Sequence, residues 1–262
     1  MICIMSCALH KYVFWWVKGI IMNPKLKCQM DVISHAGENL FWRLKEKDLG
    51  DAVVVAVSLR GMLIAAPLAN MLGLPLEVLP AHVICHPADL MRSIGSVTID
   101  AIDVEQSVHD IPKDYIMHQV RQMQKSSRND YAFFYERTRS SSFRYKTVIL
   151  VDDVVSSKHS IAACFDSVVR QMPLCIVVAA RLMTAESVRS ISDVADHVIA
   201  AEVISDYEIR ARYRDCGDVD RQYLKSVFER FSRRHEVAVT SHTPDEFGRA
   251  DKKKMHSIFR EV

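Results

Sequence analysis

The stretch "VILVDDVVSSKHS", Val148 to Ser160, carries the residues best placed to do chemistry. An apolar run meets two adjacent carboxylates, Asp152 and Asp153, and continues into small hydroxyl residues. Two like charges side by side are costly unless water, a metal or a ligand's hydroxyls receive them. In an open parallel sheet, ligands bind outside the carboxyl ends of the strands, and the acids are expected at such an end. The loop that follows leads into a helix expected to begin near Ser160. Free backbone N–H groups and the helix dipole at such a terminus favour a phosphate. Ser156, Ser157 and Ser160 add hydroxyl donors, and Lys158 and His159 add positive charge. Acids beside a phosphate cradle suggest a sugar phosphate, its ring hydroxyls on the acids and its phosphate on the loop.

The elements that must position these groups follow from the apolar pattern. "DVISHAGENLFWRLKEKD" (31–48) has helical spacing, and "DAVVVAVS" (51–58) is a near-continuous apolar run, the mark of a strand covered on both faces. "GMLIAAPLANMLG" (61–73) reads as a helix closed by Gly73 despite Pro67, and "PLEVLPAHVI" (75–84) as a second strand. Strand, helix, strand indicates a right-handed parallel crossover. Residues 85–147 differ: an accessory strand at 95–105, a helix at 112–127 and a loop-like stretch at 126–145 suggest a hood or lid. The parallel pattern then resumes with the motif strand, a helix at 160–172, "LCIVVAARL" (174–182), a helix at 184–194 and "DHVIAAEVI" (196–204).

The motif resembles the signature of type I phosphoribosyltransferases that binds 5-phosphoribosyl 1-diphosphate (PRPP). There, too, a strand ends in two acids, followed by two more residues and a hydroxyl-rich, glycine-containing loop. "AVSLRGMLIAAPLANMLGLPLEVL" (56–79) is similar to the first strand, diphosphate loop and helix of a bacterial group of predicted phosphoribosyltransferases. "IGSV" (94–97) and "RYRDCGDVDRQ" (212–222) fall where that group has comparable segments. The resemblance implies an α/β fold with a parallel sheet of about five strands flanked by helices and a small hood. It implies that Asp152 and Asp153 bind the ribose hydroxyls of PRPP and serve as the catalytic acids. Ser156, Ser157, Lys158, His159 and Ser160 would hold the 5′-phosphate. Ser58, Leu59, Arg60 and Gly61 would approach the diphosphate with its Mg²⁺, and a protonated His82 could donate to it. The implied chemistry is displacement of diphosphate by a nitrogenous acceptor, in which orientation and charge stabilisation carry the rate.

Three positions depart from the pattern. Lys158 replaces the loop glycine, Leu59 stands in the place of the diphosphate-loop arginine with Arg60 in a glycine's, and His82 and Val83 replace an Arg-Lys pair. Two readings therefore stand: a transferase, or a non-catalytic PRPP- or nucleotide-binding homologue. A receiver domain is disfavoured because the strand "LCIVVAARL" ends in Arg181 with no aspartate. A zinc site at His82, Cys85 and His86 lacks a further ligand pair.

Composition narrows the class. The 262 residues suffice for one sizeable α/β domain, and a net charge of +2 does not argue for nucleic acid. Seven dispersed cysteines fit reduced thiols in a cytoplasmic protein. His10, Lys11 and Lys18 interrupt the apolar N-terminus, so no membrane span is expected there. Trp15 and Trp16 offer a weaker reading as a peripheral anchor. The expected organisation is an N-terminal extension at 1–30, with translation from Met1 or Met22, a domain at 31–231 whose hood spans about 85–145, and a polar tail at 232–262. The sequence leaves a homodimer open.

Overall fold

The computed structural model describes residues 24–106, 109–136, 141–214 and 220–239. The readings of Trp15, Trp16 and Met22, and parts of the 126–145 and 212–222 stretches, lie outside those residues. Five strands form one parallel sheet: β1 (Ala52–Ala56), β2 (Leu76–Val78), β6 (Thr147–Val155), β7 (Cys175–Thr184) and β8 (His197–Ile204). Their spatial order is β2-β1-β6-β7-β8. Beside them stands a small antiparallel sheet of β3 (His82–His86), β4 (Asp89–Val97) and β5 (Ile102–Val104).

The helices are α1 (Pro24–Lys45), α2 (Met62–Leu72), α3 (Lys113–Phe134), α4 (Ala162–Val169), α5 (Ala185–Ser192), α6 (Asp206–Arg214) and α7 (Arg221–Val239). A 3₁₀ turn at Lys158–Ser160 precedes α4. Alternating side chains of the parallel strands feed two cores. Val54, Ile149, Val151 and Val177 pack with Leu40, Leu44, Ile64 and Phe228 on one face. Val53, Val55, Val148, Leu150 and Val178 pack with Cys164, Val168 and Ile191 on the other. Coverage on both faces explains the uninterrupted apolar runs. No helix among the described residues is long and apolar enough to cross a membrane. Cys85, Cys164 and Cys175 are free thiols.

Strand order reverses between β1 and β6, since the chain goes first outward to β2 and then back to β6, β7 and β8. In sheets of this order, the crevice at the reversal is where ligands bind. The loop after β1, with Ser58 to Gly61, and the acids of β6 both belong to it.

Three local readings of the sequence change. The run 75–84 is two strands: β2 belongs to the parallel sheet, and β3 starts the small one. Pro80 separates them, having no N–H to give to a ladder. The aromatic stretch read as a loop from 126 is helical up to Phe134. Phe134 and Tyr135 are buried against Phe228, with ring centroids 5.6 and 5.3 Å away. The 95–105 stretch is the end of β4 and all of β5, joined through Gly95, Ser96 and Val97. A Cβ on Gly95 would collide with the Asp103 carbonyl oxygen, so glycine is what lets β5 approach.

Candidate functional site

The acids do not end their strand. β6 runs on for two residues beyond Asp153, and its partner β1 stops opposite Val151. Pairing continues on the other side, with Asp152 opposite Ala180 and Val154 opposite Leu182, which sets Asp153 beside Arg181. The Arg181 Nε donates to Asp153 Oδ1 at 2.5 Å. Arg60, from the loop after β1, donates to Asp153 Oδ2 through Nε at 2.9 Å, with a second guanidinium nitrogen at 2.8 Å. The Asp153 side chain is 3% exposed and the Arg181 side chain 9%. Both oxygens of Asp153 are thus held by arginines inside the protein.

Asp152 has neutral partners. The Ser58 hydroxyl and the Asp153 backbone N–H both donate to its Oδ1, the latter at 2.7 Å. Ser58 in turn accepts from the Gly61 N–H at 2.8 Å, and its carbonyl accepts from the Met62 N–H at 3.0 Å. The loop expected to approach a diphosphate is therefore folded around Ser58. Leu59 packs against the apolar core.

Burial pushes the Asp152 carboxyl up to about 6, against the opposing pull of the Ser58 and Asp153 hydrogen bonds. An unfolded aspartate titrates near ~4. The folded chain therefore holds a proton that the unfolded chain releases, and stability falls as pH rises from roughly 4 to about 6. Asp152→Asn, which keeps the acceptor oxygen, should melt above the wild type at pH 8, with the gap closing towards pH 4. Thermal melts of both chains across that range test this; a constant gap contradicts it.

The loop expected to hold a phosphate is arranged differently from the acids. Ser156, Ser157, Lys158 and His159 line a cavity of about 840 Å³ between the hood, α5 and α6. Arg92, Asp103, Glu186 and Arg210 are also in its wall. That volume lies within the range of small-molecule sites, about 300–1,000 Å³. The Ser157 Oγ is buried with no hydrogen-bond partner among the described residues, although buried hydroxyls are nearly always paired. Ser160 instead turns back, its hydroxyl donating to the Ser157 carbonyl at 2.7 Å. His159 meets Asp103 of the hood at 2.9 Å. The helix expected from Ser160 begins at Ala162, and its Ala163 N–H donates to Ser96 of β4 at 3.0 Å.

His82 lies on β3 with its Nε2 3.0 Å from Asp130 of α3, and Asp130 also receives Arg221 at 2.5 Å. His86 faces Asp110 at 3.1 Å. The His82, Cys85, His86 cluster thus directs its imidazoles to two different acids. No three His, Cys, Asp or Glu side chains gather in a metal-holding group among the described residues.

Arg181 is the residue that sequence reasoning missed as part of the site. A signal for it exists: aligning the apolar run from Thr147 with the run from Cys175 places Asp153 beside Arg181.

Fold and crevice together define an open α/β protein with five parallel strands, flanking helices and an antiparallel hood over the carboxyl ends. No family model and no curated protein matches the sequence. Among solved structures, TT1426 from Thermus thermophilus aligns with a TM-score of 0.62 at 22% identity, covering 76% of this chain and 96% of that one. That likeness is one of fold. A purine phosphoribosyltransferase from Pyrococcus horikoshii aligns with a TM-score of 0.38 at 18% identity, covering 66% and 86%. A hypoxanthine-guanine phosphoribosyltransferase from Bacillus anthracis gives 0.39 at 14% identity, covering 67% and 79%. Similarities that low carry no argument about this chain.

Proposed function

We propose that this chain is a binding protein of the phosphoribosyltransferase class, which takes a phosphorylated ribose such as PRPP or a nucleotide in the hood cleft and does not transfer it. The carrying observation is that both Asp153 oxygens are in ion pairs with Arg60 and Arg181. A ribose diol would have to displace two charge-assisted contacts from a sealed carboxylate, at a cost its own neutral hydrogen bonds do not offset. The Ser58 loop is likewise satisfied from within. Binding is supported by the cavity at the phosphate loop, with Lys158 on its wall and the unpartnered Ser157 hydroxyl. A magnesium ion in this cleft would be carried by the ligand's phosphates, with no protein cluster among the described residues to hold it.

The transferase reading keeps one observation in its favour. Among the described residues, Asp152, in the signature position, takes its hydrogen bonds from a hydroxyl and an amide, with Arg60 acting on it through space.

Calorimetry with PRPP and Mg²⁺, and with ribose 5-phosphate, followed by an assay of diphosphate release across a panel of bases, separates the two. Binding without release is expected. Lys158→Ala should weaken binding about ten-fold, the loss of one charge-assisted phosphate contact. Release of diphosphate that disappears in Asp152→Asn would establish the transferase instead. Absence of binding to either compound would refute both readings.

A further inference from the structure

We propose that Asp89 is a built-in stand-in for a ligand's oxyanion, and that Arg210 beneath it is a second anion position on the far wall of the cleft. The inference deepens the reading of the cleft as a ligand site and rests on it. It names the ligand class as a small molecule with two separated anionic groups, one for the Ser157–Lys158 loop and one for Arg210.

Asp89 opens β4 at the turn of the hood hairpin, and Arg210 stands on α6. Two parallel bonds join them, Nη1 to Oδ1 and Nη2 to Oδ2, each 2.9 Å. A guanidinium offers this fork equally to a carboxylate and to a phosphate. Both residues line the cavity that the phosphate loop lines.

The two Asp–Arg arrangements in this region differ in their access to water. Asp153 is sealed, whereas the Arg210 and Asp89 side chains are 42% and 39% exposed. Exposed pairs contribute little stability, so a ligand anion can take Arg210 from Asp89 at small cost. The hood does not depend on this pair to stay docked. Met91 and Val154 pack on Leu182, Ile204 and Ile209 directly beneath it. Asp206, on the first turn of α6, adds a carboxylate that acts on Arg210, and on the hood side of the cavity Arg92 is paired with Glu105 at 3.7 Å. The arriving group must therefore exchange with Asp89 rather than simply join it.

A tether and a stand-in predict opposite signs. Removing a tether would loosen the hood and weaken binding. Removing a stand-in takes the competing carboxylate off Arg210 and strengthens binding. Calorimetry of the full chain with ribose 1,5-bisphosphate and with ribose 5-phosphate, at fixed ionic strength, reads the difference. Asp89→Asn should tighten the bisphosphate about five-fold and leave the monophosphate unchanged. Adding Arg210→Gln to Asp89→Asn should cancel the gain. The same titration with a dicarboxylate tells a carboxylate-bearing ligand from a phosphate-bearing one at this position. Weaker or equal bisphosphate binding in Asp89→Asn, or a gain that survives Arg210→Gln, would overturn the inference while leaving wild-type binding as evidence for the cleft. Absence of binding in every variant would overturn the inference and the reading of the cleft together.

Discussion

Asp153→Ala is expected to lower the unfolding free energy by about 3–5 kcal/mol, and the melting temperature by roughly 6–20 °C for a domain of this size. The carboxylate is 3% exposed and is shared by Arg60 and Arg181, the latter 9% exposed. Taking it away leaves the buried Arg181 guanidinium beside that of Arg60 without the carboxylate they share, the costlier way to break a buried pair. Arg181→Met should cost less, because Asp153 keeps the Arg60 fork and the thioether fills much of the vacated volume. Urea unfolding of the three chains gives the comparison. An Asp153→Ala chain within about 1 kcal/mol of the wild type would show that the arginines find water and that the clamp is incidental. From sequence alone, replacing both acids is expected to weaken ligand binding and spare the fold. The two ion pairs of Asp153 predict a loss of stability there as well.

Gly61→Ala is the second large effect, expected to destabilise by about 1–3 kcal/mol through overpacking. Its backbone angles, φ −57° and ψ −30°, suit any residue. Space is what glycine provides. A Cβ would stand 2.7 Å from the Val151 carbonyl oxygen, 3.0 Å from the Asp152 Cα and 3.1 Å from the Asp152 Oδ1. Two of those neighbours are backbone in the middle of a parallel sheet and cannot turn aside. Either α2 lifts from β6 or the Ser58–Asp152 contact breaks. Gly37→Ala is the matched control: it lies inside α1, its new methyl would meet only the Met71 Cε at 3.9 Å, and the change should stabilise by about 0.5–1 kcal/mol. Thermal or urea unfolding of both variants decides, and an unperturbed Gly61→Ala would refute the close approach.

Much of the fold is legible in the chain because burial on both faces writes itself as apolar runs. β1 lies within such a run, β6, β7 and β8 are each built around one, and Gly73 closes α2 in the left-handed conformation. What periodicity does not carry is where a strand changes sheets. The run 75–84 is mostly apolar, and Pro80 marks the change from β2 to β3. Aromatic and arginine content makes 126–145 look like a loop, but Phe134 and Tyr135 bury their rings against Phe228, which α7 supplies. Such long-range packing has no local trace.

The site divides along the same line. The twin acids and the hydroxyl loop are visible as residue types, and so is the departure of Leu59 and Arg60 from the expected loop. Which partner each acid meets is not, because the Asp153 contacts span 93 and 28 residues of sequence. Strand register decides them, and register is a tertiary quantity.

The sealed aspartate also limits how such a chain can change over generations. Losing one guanidinium leaves a neutral couple behind, whereas losing the acid first leaves the buried Arg181 cation beside a second guanidinium. Mutational routes out of this arrangement therefore have a preferred order, arginine before aspartate, and lineages that reopen the crevice should pass through intermediates in which the acid survives alone with a single base.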